Sequence, residues 1–248
     1  MMYRITHHCK TLKHYTLLLI CSVIASTSIA GSQSINVYLK LKPDNDVATL
    51  IKDFNQFLTQ EQVFDTYQIT PHIEKSPLHL TLYMANYNEA QIPNIIKRTA
   101  NLAKQAKQIP LLTSRLLPSP NGYVMLSVTN VPQIQGLSNK ALEALSHLRD
   151  KEARIPVWAT RDVERQILFN QYGSPTVLNY YKPHFSVFTA DHLNKYESVQ
   201  LYNQLQKLIP QFAKNHQLHV RATAFAIGVG IADSQGQIVK ELKSFNLE

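Results

Sequence analysis

Beyond residue 30 the chain contains no cysteine: of its 248 residues only Cys9 and Cys21 are cysteines, and both fall in the first thirty. That excludes disulfides, a zinc–cysteine cluster and a cysteine nucleophile from everything after Ala30. Long apolar runs are also lacking. The run "LLLICSVIA", Leu17 to Ala25, falls short of the roughly 20 residues a spanning helix needs. Arg4, Lys10 and Lys13 precede it, and Ser28 and Ala30 follow it where a signal peptidase reads small side chains. This is the pattern of a secretory signal peptide cleaved after Ala30. The bulky Ile20 before Cys21 argues against a lipid anchor there. We therefore expect residues 1–30 to be a signal peptide and residues 31–248 to be a single exported domain, periplasmic or secreted. After cleavage no stable membrane span is expected.

Charge of one sign is not abundant either. The formal charge is +8, but residues 1–30 hold three basic residues and no acidic one, which leaves 22 basic against 17 acidic in the rest. An excess of that size permits an anionic ligand but lacks the dense basic stripe of a dedicated duplex binder. Acidic clusters suited to a two-metal site are absent, and no stretch of disordered composition divides the chain. A polypeptide of this length can bury a core without covalent staples.

Strands are predicted at 34–41, 68–73 and 78–84, then at 109–117, 123–128 and 184–190, and finally at 218–230 and 237–243. Helices are predicted at 44–60, 88–108, 136–150 and 194–217 from apolar residues recurring at three and four. Asp44 or Asp46 is expected to cap the first helix, and Pro93 suits the opening turn of the second. Residues 153–178 mix polar, aromatic and basic side chains and read as a loop with a short helix. The order implies an α+β fold rich in antiparallel sheet. A strand, a helix and two further strands begin at Leu78, and the same order begins again at Pro183.

Each half of that doubled pattern opens on a similar stretch. In "SPLHLTLYM", Ser76 to Met84, alternation puts His79, Thr81 and Tyr83 on one strand face and Leu78, Leu80, Leu82 and Met84 on the other. In "KPHFSVF", Lys182 to Phe188, it puts His184, Ser186 and Phe188 together. One histidine followed two residues later by a hydroxyl is an ordinary accident, as His14 with Thr16 shows. Two such pairs, 105 positions apart and on corresponding strands, need that accident twice at equivalent places.

The paired tetrads "HLTL" and "HFSV" resemble the signature of the 2H phosphoesterase superfamily, which includes RNA 2′,3′-cyclic phosphodiesterases, also called 2′–5′ RNA ligases. The closing "FAIGVGIADSQGQIV" is similar to the family's final hairpin, and the likeness spans about Ile35 to Phe245. Many relatives carry a basic residue two positions beyond a tetrad; here Met84 and Thr189 stand there. The resemblance implies two antiparallel-sheet lobes with outer helices, related by a pseudo-twofold, with a groove between them and one tetrad strand from each lobe lining it. It implies a monomer without cofactor or metal that acts on nucleotides or RNA ends bearing a cyclic phosphate, or on 2′–5′ linkages.

The chemistry suits those residue types. Opening a cyclic phosphodiester needs one proton removed from water and one delivered to the departing ribose oxygen. Imidazole does both near neutral pH. By family analogy His79 is expected to be the base and His184 the acid. Thr81 and Ser186, one step along the same faces, are expected to donate to non-bridging phosphate oxygens. Tyr83 and Phe188 are candidates to stack on a base or ribose. Tyr38, Lys40, Arg161, Arg165 and Lys182 are candidates for groove charge, and "WATRDVER", Trp158 to Arg165, for substrate contacts. The alternative is a nucleotide- or RNA-binding module on the same fold that turns nothing over.

Overall fold

Backbone ends need partners, and the chain supplies them locally. Asn45 sits in extended conformation before helix α1 (Asp46–Gln60), and its side chain accepts from the Ala48 N–H at 3.0 Å. Neither Asp44 nor Asp46 caps this helix, because Asn45 occupies the residue whose φ/ψ aim a side chain at the free N–H groups. Asn194 and Glu197 form a reciprocal capping box at the start of the long helix over Lys195–Asn215. The computed structural model describes residues 31–248. The signal-peptide expectation, with Cys9 and Cys21, lies outside the described residues.

In chain order the described elements are β1 (Ser32–Leu41), α1, α2 (Val63–Tyr67), β2 (His79–Asn88), α3 (Ile92–Ala103), β3 (Ile109–Pro118), β4 (Tyr123–Val128), α4 (Pro132–Leu145), α5 (Val163–Tyr172), β5 (His184–Thr189), α6 (Lys195–Asn215), β6 (Arg221–Ala232) and β7 (Ile238–Asn246), with short 3-10 turns between some of them. The fold is α+β. All strand pairings are antiparallel, in the order β2-β1-β6-β3-β4-β5, with β7 also paired to β6. Strand β6 organises the sheet. Its first residues pair with β3, its later ones with β7, and β1 runs along its other edge.

One predicted strand is absent. Residues 68–73 form no strand; Pro71 leads instead into a 3-10 turn over His72–Glu74. A proline lacks the N–H that a ladder needs, and Gln68 adopts the left-handed conformation with φ 52°, which breaks an extended run. Within 153–178 the short helix is α5, capped by Asp162 and ended by Gly173 at φ 76°.

Aromatic pairs tie helices to sheet and to each other. Phe54 on α1 meets Phe212 on α6 edge-on at 5.0 Å, and Phe64 on α2 meets Phe188 on β5 at 5.4 Å. Helix α4 packs on β2, α3 on β6 and β7, and α6 on β3. Strands β2 and β5 end the pairing path, yet they contact one another. The sheet is therefore curled far enough to bring its two terminal strands together.

Candidate active site

Each tetrad histidine is the first residue of a terminal strand, His79 of β2 and His184 of β5. Each is anchored in the same way. His79 Nδ1–H donates to the Pro77 carbonyl at 3.0 Å, and His184 Nδ1–H donates to the Lys182 carbonyl at 2.8 Å. A carbonyl can only accept, so Nδ1 carries the proton in both rings and Nε2 is the nitrogen left for chemistry. The carbonyl in each case belongs to the residue two positions earlier, so the correspondence between the halves extends from the letters to the hydrogen bonding.

The strands share a further irregularity. The β1–β2 register slips by one residue at Leu82, and the β4–β5 register slips by one at Val187. Each slip is a β-bulge at the last position of its tetrad. A bulge inserts an unpaired residue and inverts the alternation beyond it. His79 and Thr81 keep a common face, as do His184 and Ser186. Tyr83 and Phe188 do not join them. Tyr83 is buried in the core with its hydroxyl donating to the Tyr172 carbonyl. Phe188 is fully buried against Phe64. Neither ring is presented for stacking, which corrects the expectation from simple alternation. The inversion returns Met84 and Thr189 to the site face. Met84 lies beside Gly236 of the β6–β7 turn, and Thr189 Oγ1 lies 2.9 Å from His72 Nε2.

His79 and Ser186 line one cavity with His72 and Gln237. Ser186 and His184 share a strand face with only Phe185 between them, so His184 lies one strand step from that cavity. Its volume is about 10 Å³, room for about one water. The β6–β7 turn lies against His79. The Gly236 carbonyl lies 3.1 Å from His79 Nε2 and also accepts from Asn36 Nδ2 at 3.1 Å. Gln235 of the same turn bonds Tyr123 on β4 and Asp191 just beyond β5. The turn thus bridges both terminal regions of the sheet.

Burial pushes the His79 imidazole below its ordinary pKa; the two carbonyls at its ring nitrogens oppose that shift, and charge on His184 adds to it. Burial pushes His184 down as well, against the pull of the Lys182 carbonyl. Buried Asn36 donates to Thr81 Oγ1 at 2.8 Å. A hydroxyl that already accepts from an amide is directed to donate elsewhere.

The charge candidates divide. Tyr38 and Lys40 are both engaged by Glu241, at 2.8 and 2.7 Å. The Tyr38 ring stands edge-on to His79 at 5.4 Å, so Tyr38 supports the imidazole rather than supplying charge. Arg165 lies between two aromatic rings, its guanidinium 5.4 Å from Trp158 and 4.6 Å from Tyr180, and is paired to Asp162 at 3.3 Å. Arg161 and Lys182 make no ion pair among the described residues. Sequence reasoning missed Asn36, His72, Gly236 and Gln237. Asn36 carried a faint signal, an amide between Ile35 and Val37 in a buried strand; the others reach the site only through tertiary structure. Among the described residues no group of three His, Cys, Asp or Glu side chains is placed to hold a metal, and no helix is long and apolar enough to cross a membrane.

No protein-family model and no curated protein matches the chain. Solved structures do. TT0787 of Thermus thermophilus superposes with a TM-score of 0.52 at 15% identity, over 86% of this chain and 97% of that one. Usb1 of Kluyveromyces marxianus gives 0.46 at 16% identity, covering 87% and 98%. LigT of E. coli, in a complex with 3′-AMP, gives 0.48 at 10% identity, covering 88% and 99%. The chain shares its overall fold with TT0787.

Proposed function

We propose that this protein is a phosphoesterase that hydrolyses 2′,3′-cyclic phosphate or 2′–5′ phosphodiester bonds in nucleotides or RNA ends. The supporting observation is the doubled constellation: two terminal strands brought into contact, each opening on a histidine with Nδ1 tied to the carbonyl two residues back and a hydroxyl on the same face. In this reading the sheet is two lobes meeting at β6 and related by a pseudo-twofold, and the substrate phosphate enters between β2 and β5 once the β6–β7 turn lifts.

We read the proton transfers in the sense opposite to the family analogy, with the hydrogen bonding as support. His79 faces a carbonyl at both ring nitrogens; burial disfavours the doubly protonated ring in the free protein, and in this reading the bound phosphate anion restores its second proton. His184 has one anchored nitrogen, and its Nε2 makes no hydrogen bond among the described residues. His184 Nε2 takes the proton of the attacking water as the new P–O bond forms. The bond from phosphorus to the ribose oxygen breaks, and that oxygen receives the proton of His79 Nε2 after the Gly236 carbonyl has withdrawn. Thr81 and Ser186 donate to the non-bridging oxygens, where charge grows in the transition state. The products are a phosphomonoester and a free hydroxyl, and proton exchange with solvent resets the pair. The scheme asks nothing of a metal.

Turnover of nucleoside 2′,3′-cyclic phosphates in the presence of EDTA tests the proposal. Hydrolysis to a nucleoside monophosphate is expected; binding without turnover across pH 5 to 8 would favour the non-catalytic module instead. Export is part of the proposal and rests on the pattern of residues 1–30. Mass spectrometry of the mature protein is expected to find Gly31 at its amino terminus.

The Trp158–Arg165–Tyr180 stack offers a platform for the rest of an RNA end. Trp158 is 55% exposed. Tyr180 is four residues before His184, which bounds their Cα separation at about 14 Å. A base stacked on an aromatic ring contributes about 1–3 kcal/mol. Trp158→Ala is therefore expected to raise KM about tenfold for an oligonucleotide ending in a cyclic phosphate. The KM of a nucleoside 2′,3′-cyclic phosphate is expected to stay unchanged. Steady-state kinetics on the two substrates checks this, and equal effects on both would remove the platform from the account.

A further inference from the structure

A third imidazole lines the cavity shared by His79 and Ser186, and the two-histidine scheme does not use it. His72 stands on the 3-10 turn after Pro71, with Nε2 at 2.9 Å from Thr189 Oγ1. The bulge at Val187 has turned Thr189 onto the site face. His72 Nδ1 makes no hydrogen bond among the described residues. The remaining lining residues are Ile73, Ser76, Pro77, Leu78 and Gln237, so no lysine or arginine lines this cavity. A phosphodiester that enters once the β6–β7 turn lifts brings a full negative charge beside these residues. Lys40, the basic residue paired across from His79, is already committed to Glu241. The imidazoles are thus the cavity's own source of positive charge.

We propose that His72 is a substrate-recognition residue of this site, a proton-dependent anion receptor whose imidazolium holds a non-bridging phosphate oxygen while the Thr189 hydroxyl supports the ring. The proposal rests on the phosphoesterase reading and names the group that supplies its charge. Thr189 suits the task because a hydroxyl can donate to a neutral ring nitrogen and, after rotation, accept from a protonated one.

The surroundings set the direction of the pH dependence. Burial pushes His72 below its ordinary pKa; Asp233 and Asp191 pull it up, while His79 and Lys75 push it down. The net shift is downward, so the ring is neutral near pH 7 in the free protein. A bound phosphate anion favours the charged ring. Ligand and proton therefore bind together, and each strengthens the other. Affinity for a phosphate group is expected to rise as pH falls from 8 toward 5.5.

The experiment is an NMR titration of the histidine Cε1–H resonances in the wild-type protein, with and without inorganic phosphate. It is paired with phosphate-binding measurements on His72→Gln at pH 5.5 and 8. Glutamine can keep a hydrogen bond to Thr189 but cannot take up a proton. Saturating phosphate is expected to raise the His72 titration midpoint by about one pH unit, and the same linkage makes His72→Gln a few-fold weaker than wild type at pH 5.5, approaching about tenfold at lower pH. At pH 8 the two proteins are expected to bind alike. For a cyclic phosphodiester, KM is expected to follow the same pattern while kcat is retained. A His72 midpoint unmoved by phosphate, equal binding by both proteins at pH 5.5, or no phosphate binding at all would overturn the proposal. The wild-type titration keeps the question decidable even if the variant does not fold. Linked phosphate binding without turnover would sustain His72 as an anion receptor and retire the catalytic reading. Turnover with a His72 that ignores phosphate would do the reverse.

Discussion

His79→Ala and His184→Ala are each expected to lower kcat on a nucleoside 2′,3′-cyclic phosphate by a factor of about 10²–10⁴, the ordinary worth of a positioned acid or base. The two variants are expected to part company when the leaving group changes. A ribose alkoxide is a poor leaving group and needs a proton, which the proposed scheme takes from His79. A nitrophenolate departs without one. On a nitrophenyl phosphodiester, His79→Ala is expected to recover most of its lost rate. His184→Ala is expected to stay impaired on both substrates, because water must lose its proton whatever departs. The assignment follows from the hydrogen bonds, with carbonyls at both nitrogens of His79 and at one nitrogen of His184. Recovery by His184→Ala instead would exchange the two roles and restore the assignment by family analogy. Full activity in both variants would remove the histidines from the chemistry.

Gly228→Ala is expected to lower both stability and turnover. Gly228 pairs with Tyr38 across the β1–β6 ladder. A Cβ there would stand 2.4 Å from Tyr38 Cζ and 2.5 Å from Cε2, inside any allowed contact. The ring has little freedom to yield, since it is fully buried and its hydroxyl is held by Glu241 at 2.8 Å. Overpacking of this kind costs about 1–3 kcal/mol, which for a chain of this size lowers Tm by roughly 2–12 °C. The functional effect follows from the contact behind it, because the Tyr38 ring stands edge-on to His79 and its displacement disturbs the packing of the imidazole. Gly136→Ala is the control. Gly136 lies within α4 with no atom near its added Cβ, so alanine there is expected to be neutral or to stabilise by about 0.5–1 kcal/mol. Thermal unfolding and steady-state kinetics on both variants check the pair of expectations. An unchanged Tm and kcat for Gly228→Ala would mean that Tyr38 does not brace the site.

The features that were legible in the sequence are those set by a few neighbouring residues. The histidine–hydroxyl pairs share faces because alternation places them so, and no partner strand is needed to see it. The four longest helices followed from spacing, though the 88–108 and 136–150 predictions are trimmed or shifted to Ile92–Ala103 and Pro132–Leu145 and α2 was not foreseen, and the α+β class followed from element order. What escaped belongs to pairings and to the backbone. A bulge is a property of two strands, and the letters of "HLTLY" do not reveal that Leu82 will face no residue of β1. That unseen slip sent Tyr83 into the core, and its counterpart at Val187 did the same to Phe188. His72 lies 117 positions from the Thr189 it contacts, and its segment had the composition of a strand. The atom that occupies His79 Nε2 is a glycine carbonyl, which no side-chain pattern encodes.

A structure of the protein with a nucleoside oxovanadate, which mimics the five-coordinate phosphorus of the transition state, puts the central claim to its most direct test. We expect vanadium to sit between β2 and β5, with His184 Nε2 and His79 Nε2 each within hydrogen-bonding distance of one of the two opposed apical oxygens, and Gly236 displaced from His79. A vanadate bound elsewhere, or touched by only one of the two imidazoles, would contradict the account.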